Sequence, residues 1–301
     1  MLLSGFTIVR NAVKFYFPIK ESIMSILPIV DEFIVALGES EDETEEVIRS
    51  INSPKVKVFK RKWDEKLFKK GEIFRHETNF ALSKCSGEWC FYLQADEVVH
   101  EEDLRKIVSY CERYREDRRI EGFLFNYYHF WGDYWHYLPF HGWYQQEIRI
   151  VRNRIGVQSF RDAQSFRIGN RKLRVAYVPL YIYHYGWVRP PEILVSKKAE
   201  QDEYHMGKGS VDRNSLPEYF DYGPLGRLPE FKGTHPKVME ERIKEFNRKG
   251  KLNYSKKGKP KRKLFKHERL KYRLIDLLEK KVFRKPLFSY SNWEIVEVVK
   301  E

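Results

Sequence analysis

Two adjacent carboxylates, Asp96 and Glu97, follow an apolar segment that reads Trp-Cys-Phe-Tyr-Leu over residues 89–93. Such a segment predicts a buried strand, and acids directly after it lie at the exposed carboxyl end of that strand. In open α/β sheets ligands bind at this edge. Carboxylate oxygens there suit a divalent cation and the phosphates that the cation neutralises. Acids also favour the first turn of a helix, so the pair alone leaves both interpretations open.

The elements that must position these acids alternate between strand and helix over the first 120 residues. We predict strands at 5–10, 32–37, 56–59 and 89–94, and helices at 18–27, 40–51, 73–84 and 101–114. Because this alternation is typical of α/β proteins, it predicts a mostly parallel central sheet flanked by helices.

The second half of the chain has a different character. We predict short strands at 147–151, 174–178 and 180–185, a helix at 192–204 and a loop over 207–236. A helix at 237–248, a basic linker at 249–263, an amphipathic basic helix at 264–283 and a last strand at 293–299 complete the prediction.

The formal net charge of +13 is unevenly distributed over the 301 residues. Residues 232–301 hold 22 Lys and Arg and 9 Asp and Glu, whereas residues 1–231 are neutral. We therefore predict a domain at 1–231, with halves at 1–120 and 121–231, and a basic helical extension at 232–301. Because the body that carries the acids is neutral, we do not predict nucleic acid as a partner.

Composition restricts the class of protein further. The three cysteines have no C-x-x-C spacing, so we expect neither a zinc site nor a disulfide framework. No apolar run approaches the roughly 18 residues of a membrane span, and the N-terminus has no signal pattern. We predict a cytoplasmic protein.

Five segments in this order resemble family 2 inverting glycosyltransferases, which have the GT-A nucleotide-sugar-binding fold. They are residues 8–11 (Ile-Val-Arg-Asn), 31–35, 40–44 (Ser-Glu-Asp-Glu-Thr), 75–81 and 94–97 (Gln-Ala-Asp-Glu). The similarity covers roughly residues 4–200. The last segment is similar to the Asp-Ala-Asp-Glu motif of the branch that contains lipopolysaccharide-core and capsule glucosyltransferases.

The resemblance implies a nucleotide-sugar donor and a divalent metal, Mn²⁺ or Mg²⁺. Asp96 is the implied metal ligand, with Glu97 in support and His184 as a late second ligand. Two departures from the family affect how the nucleotide is recognised. Gln94 stands where an acid usually helps to hold it, and Glu39 is the nearest carboxylate to the usual base-reading acid. The donor need not be a uridine nucleotide.

Several polar side chains lie where the resemblance places the nucleotide. Arg10 and Asn11 follow the first strand, and Arg75 and Asn79 lie one turn apart on the helix before the acidic strand. Arg189, Lys197 and Lys198 follow His184 and suit phosphate. The alternative for these residues is a role in local backbone caps or on a solvated helix surface.

A transferase also needs a base and an acceptor site. Asp162 fits the family's base best by order, Glu147 is the second choice, and Asp133 is a third. Residues 123–144 hold 12 aromatics, and Trp131, Trp135 and Trp143 suit a shelf on which a sugar stacks, or else a core.

The basic extension suits either a helix that docks on the body or peripheral contact with an anionic membrane through residues 249–285. We therefore predict a metal-dependent inverting hexosyltransferase acting on a cell-envelope glycan or lipid-linked acceptor. The alternatives are a nucleotidyltransferase and a non-catalytic protein that binds sugar or nucleic acid.

Overall fold

A computed structural model describes residues 2–246, 252–283, 287 and 290–299. Its strands are β1 (Leu3–Val9), β2 (Glu32–Gly38), β3 (Val56–Arg61), β4 (Trp89–Tyr92), β5 (Glu97–Val99), β6 (Gly122–Trp131), β7 (Gln146–Arg152), β8 (Val157–Phe160), β9 (Ser165–Ile168), β10 (Arg171–Trp187) and β11 (Trp293–Val298). Its α-helices are α1 (Ile19–Ile26), α2 (Thr44–Arg49), α3 (Glu72–Ser83), α4 (Leu104–Arg113), α5 (Pro191–Met206), α6 (Glu240–Glu245) and α7 (Leu270–Leu278).

The strands form one mixed sheet with the order β3-β2-β1-β4-β7-β6-β10-β9-β8, and β5 and β11 pair with β10. The strands β3, β2, β1 and β4 run parallel to one another. Every residue of β2 and β4 is buried, as expected for strands covered by helices on both faces. The four strands predicted in the first half are therefore confirmed, and β7 joins this half antiparallel to β4.

One long strand replaces the two short ones predicted at 174–178 and 180–185. β10 runs from Arg171 to Trp187, and its register against β6 shifts between Tyr177 and Tyr181. Pro179 lies at this irregularity, where its missing N–H costs no ladder bond. The prediction of two strands was wrong because a proline inside a strand tolerates a bulge as well as a chain break.

A short strand was missed directly after the acids. β5 contains Glu97 and pairs antiparallel with β10, so that His184 lies opposite Glu97. The predicted helix at 101–114 follows as a 3₁₀ turn (Glu101–Asp103) and then α4. Three residues are too short for periodicity to reveal a strand, and only its partner β10 defines it.

The C-terminal extension contacts the body. The predicted helix at 264–283 is a 3₁₀ turn (Lys266–Glu268), then α7, then a π-helical turn (Glu279–Phe283). The predicted helix at 237–248 is shorter, ending with α6, and its residues 247 and 248 lie outside the described residues. β11, the predicted last strand, pairs parallel with β10. The boundary at residue 231 stays a prediction. None of the described helices is long and apolar enough to cross a membrane.

Candidate active site

A pocket of about 440 Å³ opens where β1, β4 and β10 end. Residues from the ends of these strands line it, together with one side of α5 and the turn between β8 and β9. The carboxyl edge of the sheet is thus a cleft, as the position of the acids predicts.

The pairing of β5 with β10 brings Asp96 and His184 together. The backbone N–H of Tyr185 donates to the carbonyl of Asp96 at 2.8 Å, which fixes the turn that carries the carboxylate. As a result Asp96 Oδ2 lies 3.8 Å from His184 Nε2. Both side chains line the pocket, and each residue is only 7% exposed.

A chain of hydrogen bonds assigns the tautomer of His184. His129 Nε2 lies 2.5 Å from the carbonyl oxygen of Tyr144, so this nitrogen carries a proton and donates. Burial lowers the pKa of His129 to about 3, and the neutral ring therefore accepts at Nδ1. His184 Nδ1 lies 2.9 Å away and must donate. The lone pair of His184 is consequently on Nε2, next to Asp96, as in a metal-ligating histidine.

Gly186 keeps open the space between His184 Nε2 and Asp96 Oδ2, the two atoms that could ligate a metal. A Cβ at this position would contact His184 Nε2 and lie 2.7 Å from Asp96 Oδ2. One imidazole nitrogen and one carboxylate oxygen suit a small divalent cation. The described residues hold no cluster of three or more metal-ligating side chains. A cation here would take its other ligands from water and phosphate oxygens.

Glu97 is turned away from this space. Its carboxylate accepts from Arg149 Nε and Nη2, each at 2.8 Å, and from the Tyr127 hydroxyl at 2.9 Å. The backbone N–H of Gln94 also donates to it at 3.1 Å. With four donors the carboxylate has no oxygen left for a metal, so the structure places Glu97 as a residue that positions the turn at 94–97.

Two cations lie close to Asp96. Lys197 lines the pocket. Burial, and to a lesser extent the nearby charge of Arg189, lowers the pKa of Lys197 to about 7. Arg189 is buried, with Nη2 4.0 Å from Asp96 Oδ2. Its Nε and Nη2 have no hydrogen-bond partner among the described residues. Lys198 instead lies over the Trp187 ring, with Nζ 5.8 Å from its centroid.

The far end of the pocket is aromatic. Trp63, Phe74 and Tyr204 line it, and Arg10 donates to the Tyr204 hydroxyl at 3.2 Å. The Arg10 Nε also donates to the carbonyl of Glu39, whose side chain is exposed and does not line the pocket.

Three other predicted nucleotide residues have different positions. Asn11 is buried, and its Oδ1 accepts from the backbone N–H of Glu41 at 2.9 Å. Arg75 and Asn79 line a separate hollow beside α3, where Asn79 accepts from the N–H of Ser159 at 2.7 Å. Gln94 does line the principal pocket.

The three candidate bases are also separated. Asp162 lines the pocket, in the turn between β8 and β9. Asp133 is buried in its own turn and accepts from the backbone of Trp135 and His136 at 2.9 Å. Glu147 is buried and does not line the pocket, and its Oε2 has no partner among the described residues. Burial raises the pKa of Glu147 to about 8.

The aromatic residues divide between core and pocket. Trp131 is fully buried and donates to the carbonyl of Tyr222 at 3.0 Å, and Trp135 packs against a different core cluster. Trp143 lines the pocket, as does Trp187, which sequence reasoning missed. Arg149 and His129 were missed as well. The Tyr-Gly-Trp sequence after His184 was the available signal for Trp187.

Stability should depend on pH through Glu147. Between its ordinary pKa of 4.5 and about 8 the unfolded chain releases a proton that the folded protein keeps. The free energy of unfolding therefore falls as pH rises through this range. Glu147→Gln should reduce this fall by roughly 2–4 kcal/mol at pH 8 in urea titrations. Glu116→Gln, at a side chain 86% exposed, is the control. Equal pH dependence in wild type and Glu147→Gln would contradict the assignment.

Comparisons with known proteins show the family of this chain. The model of "Glycosyl transferase family 2" matches residues 18–174, a little over half of the chain. A comparison with curated proteins found no match.

Solved structures with a similar arrangement include residues 1–349 of Staphylococcus aureus TarS in complex with UDP-GlcNAc (19% identity, TM-score 0.33, 43% of this chain and 35% of that one). Glucosyl-3-phosphoglycerate synthase of Mycobacterium tuberculosis with Mn²⁺, UDP and phosphoglyceric acid is 21% identical (TM-score 0.30, 42% and 43% of the two chains). Mannosyl-3-phosphoglycerate synthase of Rubrobacter xylanophilus is 19% identical (TM-score 0.30, 43% and 41%).

This chain spans less than half the length of those three chains. The assignment of the chain to a family therefore rests on the family match and not on these structures. The predicted α/β class, a curled central sheet flanked by helices in the GT-A manner, is confirmed. With more than half of its residues matched, the chain belongs to glycosyl transferase family 2.

Proposed function

We propose that the protein is a metal-dependent inverting glycosyltransferase that moves a hexosyl group from a nucleotide sugar to an acceptor hydroxyl. The observation that carries the proposal is the pair Asp96 Oδ2 and His184 Nε2, 3.8 Å apart around Gly186 at the end of the pocket. The lone pair on His184 and the space left by Gly186 fit Mn²⁺ or Mg²⁺. When bound, the cation supplies positive charge that stabilises the leaving diphosphate.

The protein's own cations support this assignment. Lys197 lines the pocket, whereas Arg189 lies with its Nη2 4.0 Å from Asp96 Oδ2 and does not line the pocket. We therefore place Lys197 against a diphosphate oxygen, and Arg189 adds positive charge next to Asp96. The nucleoside then extends along Gln94 and Arg10 to the aromatic end formed by Trp63, Phe74 and Tyr204.

Asp162 is the base in this proposal, because among Asp162, Glu147 and Asp133 it alone lines the pocket. Inversion requires the acceptor hydroxyl to attack from the side opposite the diphosphate, and a carboxylate in hydrogen-bond reach takes its proton. Trp143 and Trp187 provide flat apolar surfaces for the acceptor sugar.

The finer assignment of the acceptor rests on the sequence. Within the family we propose the branch of lipopolysaccharide-core and capsule glucosyltransferases, with a cell-envelope glycan or lipid-linked acceptor. As a separate proposal, which the transferase activity does not depend on, we place the protein in the cytoplasm with peripheral contact to an anionic membrane through residues 249–285. Residues 249–251 and 284–285 of that range lie outside the described residues.

Donor binding should depend on metal and on Asp96. We expect one of UDP-, GDP-, CDP- or dTDP-glucose to raise the melting temperature only with Mn²⁺, by the equivalent of about 2–3 kcal/mol at about 100-fold excess over Kd. The Asp96→Asn and Gly186→Ala variants should lose this shift, the first by removing a ligand charge and the second by filling the cation space. Asp117→Asn, whose carboxylate pairs with Arg119 at the surface, should retain it. If no donor stabilises the protein, or Asp96→Asn responds like wild type, the proposal fails.

The base assignment has a separate test in slow hydrolysis of the donor by water. Asp162→Asn should lower kcat by about 10²-fold or more, because the proton acceptor is removed, while the donor-induced melting shift is kept. Glu147→Gln is the matched variant and should stay within about threefold of wild type, since Glu147 does not line the pocket. The reverse result would assign the base to Glu147.

A further inference from the structure

Helix α7 and the π-helical turn after it present large apolar side chains to solvent. We call this surface the leucine face, and its members are 43–74% exposed: Leu270, Leu274, Leu277, Leu278, Val282 and Phe283. Their spacing follows the helical repeat, so they form one stripe rather than scattered residues. Isolated exposed leucines need no explanation, but a continuous stripe indicates a binding surface.

The helix contacts the body through the acids Asp276 and Glu279, through Lys280 and through Tyr272, and not through the leucine face. Asp276 is buried and accepts from the backbone N–H of His141 at 3.1 Å, and Glu279 accepts from His141 Nδ1 at 2.9 Å. Lys280 donates to the carbonyl of Pro139 at 2.7 Å. This is the reverse of an ordinary surface helix, which buries its apolar side. The acids are held inward, and the leucine face is held outward.

Exposed basic side chains are numerous in the segment that carries the leucine face. The exposed cations of the described segment 252–283 are Lys256, Lys257, Lys259, Lys261, Lys263, Lys266, Arg269, Lys271, Arg273, Lys280 and Lys281. Each acid of the same segment is engaged: Glu268 by Arg262 at 2.7 Å, and Asp276 and Glu279 by the contacts to His141. The segment therefore combines the exposed leucine face with an excess of exposed positive charge.

We propose that the leucine face binds an anionic lipid bilayer, lying in the headgroup region with its leucines toward the acyl chains. An apolar stripe in a lysine-rich segment is the pattern of an interfacial helix. The polybasic run at 256–263 adds attraction to acidic headgroups. A nucleic acid would make no use of the leucines, and two copies face to face would bring their excess positive charges together.

The leucine face is linked to the pocket through one loop. Trp143 lines the pocket, and its Nε1 donates to His267 Nδ1 at 3.1 Å, just before α7. His141 in the same loop stacks on Tyr272 of α7, with ring centroids 5.8 Å apart. A lipid-linked acceptor in the bilayer would thus be presented at the Trp143 side of the pocket. This last consequence rests on the proposed function, whereas bilayer binding does not.

Flotation of the full chain with vesicles tests the proposal. Wild type should float with phosphatidylcholine vesicles that contain about one third phosphatidylglycerol, and not with phosphatidylcholine alone. The double variant Leu274→Glu/Leu277→Glu should bind at least about tenfold more weakly, because it places charge in the apolar stripe. Met24→Glu/Met206→Glu carries the same charge at exposed apolar residues of α1 and α5 and should bind like wild type. Melting temperatures confirm that all variants fold.

Two results would overturn the proposal. If the double leucine variant floats like wild type, the leucine face is not inserted. If wild type is a dimer that this variant dissociates and no vesicle binds, the face is an interface between copies. The donor-induced melting shift of the variant should equal that of wild type. Loss of vesicle binding would therefore contradict only the bilayer proposal. Loss of donor binding with intact vesicle binding would contradict only the proposed transferase function.

Discussion

The buried ion pair between Glu97 and Arg149 holds the candidate active site in place. Both side chains are at most 1% exposed, and two parallel hydrogen bonds of 2.8 Å join them. The pair ties β5 to β7 at the point where the chain turns between β4 and β5. Removal of one partner of such a pair leaves an uncompensated buried charge, which costs about 3–5 kcal/mol. The orientation of Asp96, one residue before Glu97, depends on this anchor.

A second set of contacts fixes the tautomer of His184 and keeps space open in front of its Nε2. The relay from the Tyr144 carbonyl through His129 to His184 leaves one lone pair on His184 Nε2, and Gly186 leaves room in front of it. Glu97, the acid that follows Asp96, instead positions the turn at 94–97, because four hydrogen bonds occupy its oxygens. The two proposed metal ligands, Asp96 in the turn before β5 and His184 in β10, are far apart in the sequence but close together because β5 pairs with β10.

The sequence predicts the position of Asp96, which follows one apolar segment. It does not predict the position of His184, which depends on how strands pair. Apolar runs define β1, β2 and β4, so the location of Asp96 at the sheet edge follows directly. Nothing local reveals β5, since three residues have no period, and its pairing with β10 is what places His184.

The sequence also did not predict the direction in which several side chains point. Arg75 and Asn79 lie on the helix that was predicted, but rotation of α3 directs them to a separate hollow. Trp131 belongs to the same aromatic block as Trp143, yet one is core and the other lines the pocket. Likewise the leucine face follows from the sequence as an amphipathic pattern, but its outward direction is set by the contacts of Asp276 and Glu279 with His141.

We propose that one imidazole and one carboxylate hold the cation, and electron spin-echo spectroscopy of Mn²⁺ bound with the donor nucleotide can detect that imidazole. We expect modulation from a single histidine nitrogen. His184→Gln should abolish it, and His205→Gln, at a histidine outside the pocket lining, should preserve it. Bound Mn²⁺ without nitrogen modulation, or modulation that survives in His184→Gln, would contradict this proposal.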